Sequence, residues 1–147
     1  MSDINTPTTG RTLQCAIVTP ERAVLDEPAD FVALPMYDGE LGVAPGRRPL
    51  IGRLGIGEMR VRRGAETKHF FIDGGFAQVR DNVVTVLTPS ALTPAEIKPD
   101  AVREGLTAVH ATPARRPDEV EARQKADQRA RVKLKMTGRG SVSGATH

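Results

Sequence analysis

Between Tyr37 and Val61 the chain reads YDGELGVAPGRRPLIGRLGIGEMRV, with six glycines and two prolines. Punctuation this dense forbids a helix there, because Gly adds backbone entropy to the unfolded state and Pro removes a donor. Each Gly or Pro from Gly39 to Gly57 is read as ending a strand or letting the backbone turn sharply. Pro45 and Pro49 deny a sheet its ladder donor and so belong at edges or in loops.

The flanking segments alternate with period two. "LQCAIVT" (13–19), "RAVLD" (22–26) and "ADFVALPM" (29–36) precede the stretch. In "EMRVRR" (58–63), Met59 and Val61 point inward and Arg60 and Arg62 outward. "TKHFFID" (67–73) runs to Gly74-Gly75, and "FAQVR" (76–80) turns at Asp81-Asn82 into "VVTVLT" (83–88). Alternation broken by turn signals every ~8–12 residues predicts a β-sandwich or barrel. Gly74 and Gly75 are expected at positive φ or where backbones pass closely.

From residue 89 the pattern changes. "TPSALTPAEIKP" is a Pro-rich connector. "PDAVREGLTAVHA" (99–111) sets Val102, Leu106 and Val109 on one helical stripe. Pro99 and Asp100 suit a helix start. A second helix is predicted over 118–136, ending before Gly138. Its stripe is only Ala122, Ala126, Ala130 and Leu134, so weak docking is expected. The whole is α+β: a sandwich, a flattened barrel of about ten strands, then an antiparallel two-helix hairpin. The expected divisions are a flexible 1–11, the sandwich at 12–90, a linker at 91–98, the hairpin at 99–137 and a disordered 138–147.

Composition narrows the chemistry. The one cysteine, Cys15, excludes an internal disulfide and a cysteine zinc cage. No apolar run reaches the ~18 residues of a membrane span, and the N-terminus resembles no secretory signal, so a soluble intracellular chain is expected. No phosphate-gripping P-loop is present; "GRLGIG" (52–57) lacks dinucleotide-loop spacing. His69, His110 and His147 stand apart, and no catalytic triad or carboxylate pair can be nominated. No catalytic residue, metal site or cofactor is expected. Charge is uneven: residues 1–97 carry 10 Lys/Arg against 12 Asp/Glu, while 98–147 carry 11 against 6. A β-sandwich that binds nucleic acid through its basic tail is therefore one reading, although that tail offers no aromatic for base stacking.

Two blocks bear on function. Gly39-Glu40-Leu41-Gly42-Val43-Ala44-Pro45-Gly46-Arg47-Arg48-Pro49-Leu50, followed later by Gly74-Gly75 and "DNVVTVLTPSAL", closely resembles the epsilon subunit of F-type rotary ATP synthases. Arg47 stands where that family usually has His. The resemblance implies a non-catalytic central-stalk subunit bound to gamma and resting on the c ring. Such a subunit couples proton or sodium movement to ATP synthesis in the alpha–beta head, as a peripheral protein on the cytoplasmic face of a bacterial plasma membrane. It casts Gly39, Glu40, Leu41, Gly42 and Arg47 as the c-ring contact loop, and Pro45, Gly46, Pro49, Gly74 and Gly75 as structural turns. Asp100 and Arg103 keep the spacing of a motif through which some bacterial members bind ATP, but its flanking residues differ. The hairpin is implied to brake ATP hydrolysis when extended, its cations Arg123, Lys125, Arg129, Arg131, Lys133 and Lys135 acting together on an acidic segment of the beta subunit.

Overall fold

The computed structural model describes residues 12–145, with side chains through Thr137. The strands are β1 (Leu13–Val18), β2 (Ala23–Ala29), β3 (Phe31–Met36), β4 (Gly39–Val43), β5 (Leu50–Arg63), β6 (Glu66–Arg80), β7 (Val83–Leu87) and β8 (Ala91–Leu92). A 3-10 turn (Pro94–Glu96) leads to α1 (Pro99–Ala111) and α2 (Pro117–Ala145). The sheet order is β2-β1-β7-β6-β5-β3-β4, with β8 beside β6. Every pairing is antiparallel except β1 with β7.

This one sheet folds over on itself as a sandwich. Leu13, Cys15 and Ile17 of β1 share a core with Val32 and Leu34 of β3, Met59 and Val61 of β5, and Val84 and Val86 of β7. Their period-two spacing sends them to one side of the pleat, and burial of each larger side chain stabilises the fold by ~1.5–3 kcal/mol.

Eight strands form among the described residues, where about ten were expected. The difference lies in β5 and β6, which are 14 and 15 residues long and absorb glycines that the sequence reading treated as breaks. Gly52, Gly55 and Gly57 all lie inside β5 and end nothing. Their role is close approach: a Cβ at Gly57 would lie 2.8 Å from Pro35 Cβ, and one at Gly52 2.6 Å from Met36 Cε. The end of β3 crosses β5 there, where their register breaks between Ala33 and Met36. Gly74 and Gly75 likewise sit within β6, in no turn, at φ +76° and +108°. Around them β6 exchanges partners, from β8 at Phe71 and Ile72 to β7 from Phe76 onward.

Two further expectations need correction. The stretch 91–98 is structured: β8 pairs with β6, and Ile97 is buried. Thr93 and Glu96 form a reciprocal cap, with Thr93 N–H donating to Glu96 Oε1 at 2.8 Å. The second helix also continues past Gly138 to Ala145, because a glycine costs a helix only ~1 kcal/mol and stops it only where a left-handed residue is required.

Burial pushes the Cys15 thiol up to about 12, with Glu27 and Asp26 adding to the effect. The native thiol therefore stays protonated at pH 8 and has no path to solvent. Alkylation at that pH is expected to proceed only at the rate of global opening, accelerating to the free-thiol rate in denaturant; fast labelling of native protein would contradict this burial.

Candidate functional site

The Gly39–Gly42 block is an edge strand, not a loop. Glu40 pairs with Pro35 in the β3–β4 register, and its carboxylate meets Arg60 at 3.0 Å. Edge strands leave backbone groups unpaired, and a charged, solvated side chain such as Glu40 discourages unwanted pairing. Leu41 packs against the core. Gly42 leaves space for the Phe31 ring, whose Cζ would be 2.8 Å from an added Cβ.

Arg47 does lie in a loop. Pro45-Gly46 turns the chain between β4 and β5, with Gly46 at φ +90°. Gly46 N–H donates to Asn82 Oδ1 at 2.7 Å, tying this loop to the β6–β7 turn. That turn is Asp81-Asn82, both residues at positive φ, the geometry a two-residue hairpin favours. Arg47, Arg48 and Pro49 are exposed, so the loop presents cations on a rigid base.

Asp100 and Arg103 form a helical i,i+3 ion pair at 3.2 Å, with side chains 96% and 62% exposed. A pair so solvated contributes little. Neither residue lines the nearby cavity of about 490 Å³ between the two helices, β8 and the 3-10 turn; its walls include Leu92, Ile97, Val102 and Ala130, with Arg129 and Lys133.

The six cations of α2 are not equivalent. Arg129 Nε donates to both carboxylate oxygens of Asp73 at 3.0 Å. Lys133 Nζ lies 4.9 Å from the Phe71 ring centroid. Arg123 donates to the His110 and Thr112 carbonyls at 3.0 and 3.1 Å, satisfying the end of α1. Those three face the sandwich or α1, while Lys125, Arg131 and Lys135 are exposed. His110 also pairs with Asp127, closing the hairpin. At the start of α2, the backbone N–H groups of Arg116 and Arg115 hold Glu119 below the usual carboxylate range.

Weak docking from an alanine stripe omitted two contributors. Met136 is fully buried in a second cluster with Phe71 and Ile97, joined by Ile56, Leu92, Val102 and Val132. Gln128 reaches the Ile56 carbonyl at 3.2 Å. A 3.6-residue spacing links Val132 and Met136 on one stripe, a signal present in the sequence; the Asp73 partner of Arg129, 56 residues away, has no local trace.

Residues 12–94 match the family model of the ATP synthase Delta/Epsilon chain beta-sandwich domain. This chain belongs to the ATP synthase epsilon family. It is 46% identical over 123 residues to the ATP synthase epsilon chain of Rhodopirellula baltica, covering 84% of this chain and 96% of that one. Against the epsilon chain of Nitratidesulfovibrio vulgaris (strain DP4) it is 38% identical over 130 residues, covering 87% and 97%. In fold it is similar to a chain of the Euglena gracilis mitochondrial ATP synthase, at TM-score 0.68 and 24% identity, over 93% of this chain and 82% of that one. A chain of the Tetrahymena thermophila mitochondrial ATP synthase central stalk and c ring superposes at TM-score 0.67 and 16% identity, over 84% and 94%. As an epsilon subunit the chain is non-catalytic and forms part of a membrane-bound ATP synthase, in its peripheral sector.

Proposed function

We propose that this subunit links gamma to the c ring in the central stalk, and that its hairpin is a reversible brake on ATP hydrolysis. The carrying observation is the sandwich's agreement with the family over residues 12–94, joined to a hairpin held by one small apolar cluster and a few polar contacts. The c-ring contact is assigned to Glu40 on the β4 edge and to the Arg47 loop. The setting is the cytoplasmic face of a bacterial plasma membrane. The nucleic-acid reading is set aside, because Arg123, Arg129 and Lys133 are engaged within the protein. Nucleotide is not assigned to Asp100 and Arg103, whose pair is solvated and lies outside the cavity.

With the hairpin docked, the cations available to the beta subunit are Lys125, Arg131 and Lys135. Arg123, Arg129 and Lys133 join them only after the contacts to α1, Asp73 and Phe71 break. Deleting residues 98–147 is therefore expected to raise ATP hydrolysis by the assembled enzyme and leave synthesis nearly intact. Equal hydrolysis rates with full-length and truncated subunit at all ATP concentrations would sink the brake. Co-purification with alpha, beta, gamma and c subunits tests the assembly itself.

Glu40→Lys removes the Arg60 ion pair and reverses a charge at the assigned ring contact. The exposed pair contributes at most ~1 kcal/mol, so the isolated subunit should fold normally. Proton pumping per ATP in membrane vesicles is expected to fall; unchanged pumping would remove Glu40 from the contact.

A further inference from the structure

The cavity bounded by the two helices, β8 and the 3-10 turn takes no part in the function described above. Its volume of about 490 Å³ falls within the ~300–1,000 Å³ usual for small-molecule sites. One wall is α1, whose apolar stripe of Val102, Leu106 and Val109 lines the cavity. A helix normally buries such a stripe, yet no residue of α1 is buried. The facing wall is α2, whose apolar contribution there is Ala126 and Ala130. Gly105 of α1 also lines the cavity, and a Cβ added to it would meet nothing within 4 Å. The apolar stripe of α1 therefore faces a space that its neighbour's small side chains do not fill.

The charged groups lining it are mainly cationic. Lys98, Arg129 and Lys133 stand against one acid, Glu96. That acid is already engaged: Oε1 accepts from the Thr93 N–H and hydroxyl, and Oε2 lies 3.6 Å from Arg22. Arg129 is paired with Asp73. Among the described residues the lysines held in ion pairs are Lys68 and Lys125, which leaves Lys98 and Lys133 without a carboxylate. An apolar body with one anionic end matches both the walls and this charge. No aromatic residue lines the cavity, so it offers a nucleotide base no stacking partner, whereas a flexible alkyl chain needs none.

We propose that this cavity binds a medium-chain carboxylate, with its alkyl chain between α1 and α2 and its carboxylate among Lys98, Arg129 and Lys133. The walls come from both the hairpin and the β8 region, so the site exists only while the hairpin is docked. A ligand that binds one of two states favours that state, so the carboxylate holds the hairpin against the sandwich. The site stands on the structure alone, and only its effect on ATP hydrolysis rests on the brake reading.

The test titrates the full-length chain with dodecanoate below its micellar concentration, by calorimetry, and follows trypsin cleavage within α2. One site per chain is expected, with a Kd of about 100 µM or tighter. At ten times that Kd, cleavage should slow about tenfold. Ala126→Leu fills the cavity and should abolish binding while the hairpin stays protected; Gly105→Leu repeats the test from the other wall should the first variant release the hairpin. Lys98→Gln combined with Lys133→Gln should weaken binding about tenfold. Absence of binding, or wild-type affinity in a cavity-filled variant whose hairpin is still protected, would overturn the site. Equal affinity for the neutral dodecyl maltoside would overturn the carboxylate assignment, as would ATP that binds more tightly and displaces dodecanoate. Binding that leaves cleavage unchanged would break the link to docking. Dodecanoate that protects the isolated chain yet leaves hydrolysis by the assembled enzyme unchanged would count against the brake and not against the site.

Discussion

Replacing Gly75 with valine is expected to abolish stable folding of the sandwich, or to lower its stability by at least ~4 kcal/mol. Two independent costs add. At φ +108° a β-branched residue is strained by ~1–3 kcal/mol. An added Cβ would also overlap the Leu87 carbonyl oxygen and lie 2.9 Å from Thr88 Cα. Both neighbours are backbone atoms, so neither can swing aside as a side-chain tip would. A domain stable by ~5–15 kcal/mol cannot absorb such a loss unchanged. Gly74→Ala is the comparison. That position has φ +76° but open space, its nearest contact being Leu54 O at 4.0 Å, so it should lose only ~1–2 kcal/mol. Denaturation midpoints of the two variants separate conformational strain from backbone overlap. A Gly75→Val protein with the wild-type midpoint would contradict the close passage of β6 and β7.

Met136→Asp is expected to release the hairpin without unfolding the sandwich. Met136 is fully buried against Phe71 and Ile97, so the change loses ~2 kcal/mol of apolar burial and adds the cost of placing a charge among apolar side chains. The open fraction of the hairpin should rise ~100-fold or more, read as faster trypsin cleavage within α2 while the core strands keep their hydrogen-exchange protection. Arg129→Ala should have a smaller effect, near ~1 kcal/mol, because its ion pair with Asp73 is partly solvated. In the assembled enzyme Met136→Asp should deepen the brake, since an undocked hairpin no longer forfeits these contacts when it extends. A hairpin equally protected in both proteins would locate its anchor elsewhere.

These two residues also mark the limits of what could be read from the chain. The pairing of Gly74 with Gly75 signals unusual backbone, because only glycine enters that region freely. Which backbone passes so close is a matter of long-range packing. Met136 ends the second predicted helix and lies outside the stripe of Ala122, Ala126, Ala130 and Leu134 from which docking was read. It is buried because Phe71, directed outward from the sandwich, requires a cover. The glycines of β5 misled for a related reason. Glycine permits a turn, but it also permits two strands to touch, and composition does not distinguish these uses.

Local periodicity determined the rest. Alternation placed Met59 and Val61 in the core and Arg60 and Arg62 outside it. The Asp81-Asn82 turn and the two helices also followed from short-range chemistry, since hairpin turns and helix starts are set by neighbours a few residues apart. Tertiary structure alone decided that β1 lies parallel to β7, that Asp73 receives Arg129, and that Ile51, Phe76 and Leu87 share one exposed face. Such contacts join residues tens of positions apart, whose approach depends on how the whole sheet folds over, and that geometry leaves no periodic trace in a single sequence.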